Sequence, residues 1–173
     1  MWDSNFTLNH GKHSGIVYGG SSRKQKGKFQ IGNKFILNWK SKGENKSGYF
    51  NLELIKPISP YFFDDKKRSV CILAATSILK ILLPERQTNS KVYSFFEHML
   101  SDLKSDNWIE IYIDWELSLI KELGFETNFK KDYNYSTKKA LTYNRDLLMK
   151  NFIIPNRLKF PLFRNILENY FWS

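Results

Sequence analysis

Nine basic residues, Lys12, Arg23, Lys24, Lys26, Lys28, Lys34, Lys40, Lys42 and Lys46, fall between positions 12 and 46, with Glu44 the only acid among them. Such a run suits a polyanionic backbone: an arginine offers a bidentate fork to phosphate, and lysines offer mobile point charges. Gly19-Gly20-Ser21-Ser22 adds main-chain amides that can approach a phosphate closely, and Tyr18, Phe29 and Tyr49 offer faces on which bases can stack. Lys12, Arg23, Lys24, Lys26, Lys28, Lys34, Lys40 and Lys42 are therefore the candidate nucleic-acid contacts. The plainer alternative is a solvated lysine-rich surface, because Lys outnumbers Arg 21 to 6 and Asn reaches 15.

Catalytic chemistry finds little purchase. The sequence has no GxxxxGK[ST], GxGxxG, HExxH or GxSxG. SxxK occurs at Ser21/Lys24, Ser77/Lys80 and Ser101/Lys104, which in a lysine-rich chain is coincidence. His10 and His13 are spaced to share a metal but have no cysteine or carboxylate nearby to complete a shell, so a role beside phosphate suits them better. His98 is expected to be a packing residue. Glu110, Asp114 and Lys121 could be read as nuclease-like acids with a lysine, yet at 100° per residue they point away from the apolar face of their helix. Glu116 alone flanks that face, and a buried or half-buried hydrogen bond is its expected role. No enzyme activity, cofactor or metal is expected.

Strands must position the basic run. Phe35, Leu37 and Trp39 alternate with more polar neighbours, as do Phe50, Leu52 and Leu54, and both read as half-buried strands. Residues 41–48 between them form a polar, glycine-containing hairpin loop. Ser14 to Tyr18 is a third strand, and Phe6 to Leu8 the stub of a fourth. Glycine punctuation between short strands predicts a small antiparallel barrel. Pro57 and Pro60 then break the pattern, and helical periodicity follows. Asp64 or Asp65 caps a helix that ends at Pro84; a second opens near Thr88 to Ser90. A third starts at Asp106 or Asn107 and stops at Gly124, residues 126–138 are loop, and two more cover about Lys139 to Asn151 and Pro161 to Tyr170. The expected fold class is α+β, with residues 1–58 a nucleic-acid-binding unit and 59–173 a helical bundle.

The chain of 173 residues, with 42% hydrophobic and 16% aromatic residues, has ample material for a core. Its formal net charge is +10, and residues 1–60 hold 10 basic groups against 3 acidic ones, so the charge is concentrated with the strands. One cysteine, Cys71, excludes an internal disulfide and a multi-cysteine zinc site. No leader is expected, and the longest apolar run, Val70 to Leu83, is short for a membrane span. A cytoplasmic protein without membrane contact is expected.

His10-Gly11-Lys12-His13-Ser14-Gly15-Ile16-Val17-Tyr18-Gly19-Gly20-Ser21-Ser22-Arg23-Lys24, followed by Gln30-Ile31-Gly32-Asn33, resembles the bacterial recombination mediator family RecO. Leu82-Leu83-Pro84-Glu85-Arg86, and Trp108 to Leu117 with Glu122-Leu123-Gly124-Phe125, resemble the same family in the same order, so the likeness runs from about residue 6 to 129. The resemblance implies an OB-fold barrel followed by a helical domain, with Lys12, Arg23 and Lys24 at basic family positions facing phosphate. It implies no enzymatic activity but rather binding of single- and double-stranded DNA, strand annealing, and work with RecR to place RecA on DNA coated by single-strand-binding protein, in the RecF pathway and close to the bacterial nucleoid. Against the family pattern, the barrel is expected to lack its first strand, and the stretch after Phe125 is short and free of the cysteines that bind zinc in some relatives.

An RNA- or ribosome-associated OB-fold protein without a role in DNA repair is the alternative that the basic strands alone permit. A structural adaptor and a nuclease complete the competing readings.

Overall fold

The computed structural model describes residues 2–19, 22–23, 27–40, 48–127 and 136–172. Within them, four strands come first: β1 (Trp2–Thr7), β2 (Gly11–Val17), β3 (Lys34–Lys40) and β4 (Tyr49–Lys56). Five helices follow: α1 (Lys66–Leu82), α2 (Ser90–Asp102), α3 (Trp108–Glu122), α4 (Thr137–Leu148) and α5 (Leu162–Asn169). A short 3₁₀ turn at Ser59–Phe62 leads into α1, and a wider π-type turn over Met149–Ile153 extends α4. The class is α+β.

The sheet order is β1-β2-β4-β3. β1 pairs antiparallel with β2, β3 antiparallel with β4, and β2 parallel with β4 through Ile16↔Tyr49 and Val17↔Phe50. This corrects the expectation of an antiparallel barrel: the sheet is mixed, and among the described residues it is open. Alternation of apolar residues reports that one face of a strand is covered, and carries no information on whether two edges meet. The first strand is also longer than the stub foreseen, because Asp3, Ser4 and Asn5 mask its alternation. The expected loop at 41–48 lies outside the described residues apart from Gly48.

Phe50 is buried beside Gly15, where an added Cβ would come within 2.6 Å of its ring, and Trp39 lies against Gly48 in the same way. The main core lies among the helices. Asp65 caps α1 by accepting from the Arg68 amide at 3.0 Å, and Asn89 caps α2 by accepting from Val92 at 2.9 Å. Small residues Ala74 and Ala75, fully buried in α1, allow α5 to pack closely against it. In α3, Tyr112, Ile113, Trp115, Leu119 and Ile120 are buried, and Gly124 ends the helix at φ +95°. No helix among the described residues is long and apolar enough to cross a membrane.

Hydrogen bonds between distant parts of the chain fix the sheet to the helices. Asn33, in the loop before β3, accepts from the amides of Ile58 (2.7 Å) and Ser59 (3.0 Å) at the Pro57–Pro60 connection. The Arg86 amide donates to the Lys12 carbonyl at 2.8 Å, forming an isolated parallel bridge between β2 and the segment after α1. Glu85 accepts from the Ser14 amide (3.0 Å) and hydroxyl (2.8 Å).

Candidate nucleic-acid interface

The far end of β2 brings together the groups that suit a nucleic acid. Beyond Val17 the Tyr18 amide donates to the Phe50 carbonyl at 2.9 Å, which extends the pairing with β4 by one residue. Gly19 at φ +67° then turns the chain, and the Ser22 amide closes the turn on the Gly19 carbonyl at 2.9 Å. Arg23 emerges exposed just past that turn.

Across the sheet, Ile16, Tyr49 and Lys40 are register partners on β2, β4 and β3. They share the surface opposite Val17 and Phe50, because those two alternate with Ile16 and Tyr49 and are buried. The Tyr18 ring leans on Tyr49 with centroids 5.1 Å apart and is itself 69% exposed. Two aromatic rings, an aliphatic neighbour and the exposed Lys40 therefore form one platform, and Arg23 is exposed five positions along the chain from Tyr18. Phe29, the third stacking candidate, instead packs on Phe35 at 5.6 Å and lines a partly open cavity between sheet and helices.

The basic residues divide sharply. Arg23, Lys28 and Lys40 are exposed. Lys24, Lys26 and Lys42 lie outside the described residues, as do Gly20 and Ser21. Lys12 turns inward: its side chain is 13% exposed, and its ammonium donates to the Lys80 carbonyl at 2.8 Å and stands 3.5 Å from Glu85. Desolvation opposes the charged form of Glu85, but the Ser14 hydroxyl and amide and the Lys12 ammonium outweigh it and hold this carboxyl below the usual carboxylate range. Lys34 is likewise engaged, 2.5 Å from Glu97 of α2 and 5.9 Å from the centre of the Tyr93 ring. The bond to Glu97 raises its pKa despite partial desolvation. Both lysines join the sheet to the helices, a use that a count of charges along the sequence does not distinguish from an outward-facing one.

The His13 Nε2 meets the His10 carbonyl at 2.8 Å, and among the described residues no group of three or more metal-binding side chains is assembled. His98 is exposed, its Nδ1 2.9 Å from the Ser94 carbonyl, so it is not the packing residue expected. Glu110, Asp114 and Lys121 lie on the exposed side of α3.

Glu116 is fully buried and hydrogen-bonded, as expected; its main partner was not foreseen. Arg164 of α5, also at 0% exposure, reaches it through Nε (2.5 Å) and Nη2 (3.1 Å), while Tyr112 and Asn144 donate to the same carboxylate. Arg164 also bonds Glu168 and the Leu141 carbonyl. Burial opposes the guanidinium charge, but Glu116 and its neighbours more than compensate and raise the pKa of Arg164. The only sequence signal was an arginine set among apolar residues of a short helix.

Comparison with known proteins places these features in a lineage. Residues 64–147 match a family described as "Recombination protein O C terminal". A protein named "DNA repair protein RecO" from Rickettsia felis is 30% identical over 190 aligned positions, covering 97% of this chain and 80% of its own length. Proteins of the same name from Wolbachia sp. subsp. Drosophila simulans (strain wRi) and Rhodospirillum centenum are 34% and 28% identical, over 73% and 71% of this chain. In these two the matched stretch spans about half of the relative's length, 52% and 49%.

Proposed function

The chain belongs to the RecO family, and we propose on that footing that it is a DNA repair protein that binds DNA on the Tyr18–Tyr49 platform. Phosphates are held by Arg23, Lys28 and Lys40, with Lys24, Lys26 and Lys42 on the same basic stretch. Affinity is dominated by backbone charge and carries little sequence preference. Residues 1–58 are the nucleic-acid-binding part and 59–173 the helical part. The wider activity is the family's: binding of single and double strands, annealing of complementary strands, and loading of RecA with RecR on DNA coated by single-strand-binding protein. Bound this way the protein works without catalysis, in the bacterial cytoplasm and at the nucleoid.

The observation that carries this reading is the contact between Tyr18 and Tyr49, at 5.1 Å, in register with Lys40. A single strand laid across it can stack a base on the exposed Tyr18 face while its phosphates meet the lysine and arginine. A duplex keeps its bases stacked inside and gains the charge contacts alone.

Fluorescence anisotropy with a labelled single-stranded DNA, at several salt concentrations, tests the proposal. Tight binding that weakens steeply with salt is expected, and replacement of Tyr18 by alanine should weaken it by roughly 1–3 kcal/mol. Unchanged affinity on loss of Tyr18 removes the platform from the site. An RNA of equal length in competition separates DNA repair from the RNA-associated alternative, which stronger RNA binding would favour.

A further inference from the structure

Resting on the DNA platform proposed above, we infer that Trp39 is a second base-stacking residue of the same interface, on the opposite face of the sheet. A single DNA strand crosses β2, β4 and β3 and bends round the β3 edge to reach it.

Among the described residues β3 is an edge of the sheet, since the order is β1-β2-β4-β3. Lys40 pairs with Tyr49 and Trp39 with Phe50, and adjacent residues of a strand project to opposite faces. Lys40 therefore closes the platform at the same edge that carries Trp39 on its other side. Phe35 and Leu37, on the Trp39 face of β3, line the cavity between sheet and helices, but that cavity does not extend to Trp39. The indole is 55% exposed, although its register partner Phe50 is buried.

The exposed ring is also held in place. Its centroid lies 4.9 Å from that of Phe50. Gly48 leaves it room, since a Cβ there would come within 2.2 Å of the indole Cζ2. A ring supported on one side and open on the other loses little side-chain freedom when a base stacks on it.

Charge sets the direction of the path. Glu53 shares the platform face with Tyr49 two register steps further along β4, opposite Ile36, and is exposed. A phosphate chain running along the strands would meet this carboxylate, whereas one running across them meets Lys40 and then the open edge. A flexible single strand can turn round that edge. A duplex, with a persistence length of about 50 nm and its bases stacked inside, cannot. Trp39 thus adds affinity for single strands alone.

Anisotropy with labelled oligothymidine and with a duplex of equal length tests this on the full chain. Trp39→Leu should weaken single-strand binding by roughly 5- to 150-fold and leave duplex binding within about twofold, while Trp39→Tyr keeps most of the single-strand affinity. Labelling with 5-fluorotryptophan gives a readout that a packing role would not move, and one that does not need the leucine variant to fold. The ¹⁹F resonance absent from Trp39→Tyr should shift on adding the single strand and stay in place with the duplex. Unchanged single-strand affinity in Trp39→Leu, equal losses on both DNAs, or a Trp39 resonance indifferent to the single strand overturns the inference. Tyr18→Ala measured alongside separates the two proposals: a loss there without one at Trp39 overturns this inference and leaves the platform, and a loss at neither overturns both.

Discussion

Glu85, three residues beyond the end of α1, takes hydrogen bonds from both the amide and the hydroxyl of Ser14 in β2, at 3.0 and 2.8 Å. Two stretches that are 71 residues apart in the chain are thereby locked together, with Lys12 as a third member. The carboxyl titrates below its ordinary value in the folded state. A depressed carboxyl contributes stability above the unfolded pKa, and that contribution is lost as pH falls through the folded value. Because the Glu85 side chain is 47% exposed, solvent screening limits the effect. Glu85→Gln is expected to cost about 1 kcal/mol at neutral pH. Urea titrations should show the variant and the parent converging at a pH below the folded pKa of Glu85; an equal gap at both pH values would remove the charge from the latch.

The inward turn of Lys12 and Lys34 makes a prediction opposite to the one their charge suggests. Arg23→Ala and Lys40→Ala should each flatten the dependence of log affinity on log salt by roughly 0.7 on single-stranded DNA. Lys12→Ala and Lys34→Ala should leave that slope unchanged and lower the unfolding free energy instead, by roughly 1 kcal/mol each after allowance for exposure. Anisotropy at four or five salt concentrations, paired with denaturation of the same variants, separates the two classes. A slope change for Lys12 would mean that its ion pair with Glu85 opens to admit phosphate.

Much of the fold could be read directly because it depends on neighbours in the chain. Asp65 and Asn89 cap helices through amides three residues on, and Gly124 ends α3 where a left-handed residue is needed. Glu116 was identifiable because helical spacing set it beside Trp115 and Leu119. Contacts made across long separations gave no local signal. Arg164 lies 48 residues from Glu116, and nothing near either residue marks the other as its partner. The same holds for the parallel pairing of β2 with β4 and for the lysines: alternation says that a residue faces outward from its strand, and what then packs against that face is decided by the helices. Lys12, Ser14, Asn33 and Glu85 all fall in the motifs that carry the resemblance and all sit where sheet and helices join, whereas the resemblance implied a phosphate contact for Lys12.

Gly11 and Gly19 both adopt positive φ, at +71° and +67°, but in different surroundings. A Cβ on Gly11 would come within 2.1 Å of the Gln87 carbonyl oxygen, a backbone atom one residue past Arg86, whose amide bonds the Lys12 carbonyl. At Gly19 a Cβ would meet nothing within 4 Å. Gly19→Ala therefore carries only the cost of a left-handed alanine, about 1 kcal/mol. Gly11→Ala adds a backbone clash and should exceed about 3 kcal/mol, displacing the Glu85 latch. Thermal unfolding of the pair ranks them; equal losses would show that the segment after α1 yields easily.

The buried ion network is the feature most sensitive to single changes. Arg164 holds Glu116 and Glu168 at 0% exposure, so α3 and α5 share one desolvated charge cluster, with Asn144 of α4 tied to the same carboxylate. Arg164→Leu takes the guanidinium from two buried carboxylates, and Glu116→Leu leaves the buried guanidinium with Glu168 as its remaining carboxylate and takes the acceptor from the Tyr112 hydroxyl. Each should destabilise by about 3–5 kcal/mol. Replacing both residues removes the pair along with its desolvation, so the double variant should lose much less than the two single losses combined. Glu168 keeps Arg145 at 3.7 Å in every variant, which leaves it a partial partner. A double-mutant cycle by urea denaturation measures the coupling, and additive losses would mean that the two side chains stabilise the bundle through packing instead of through each other.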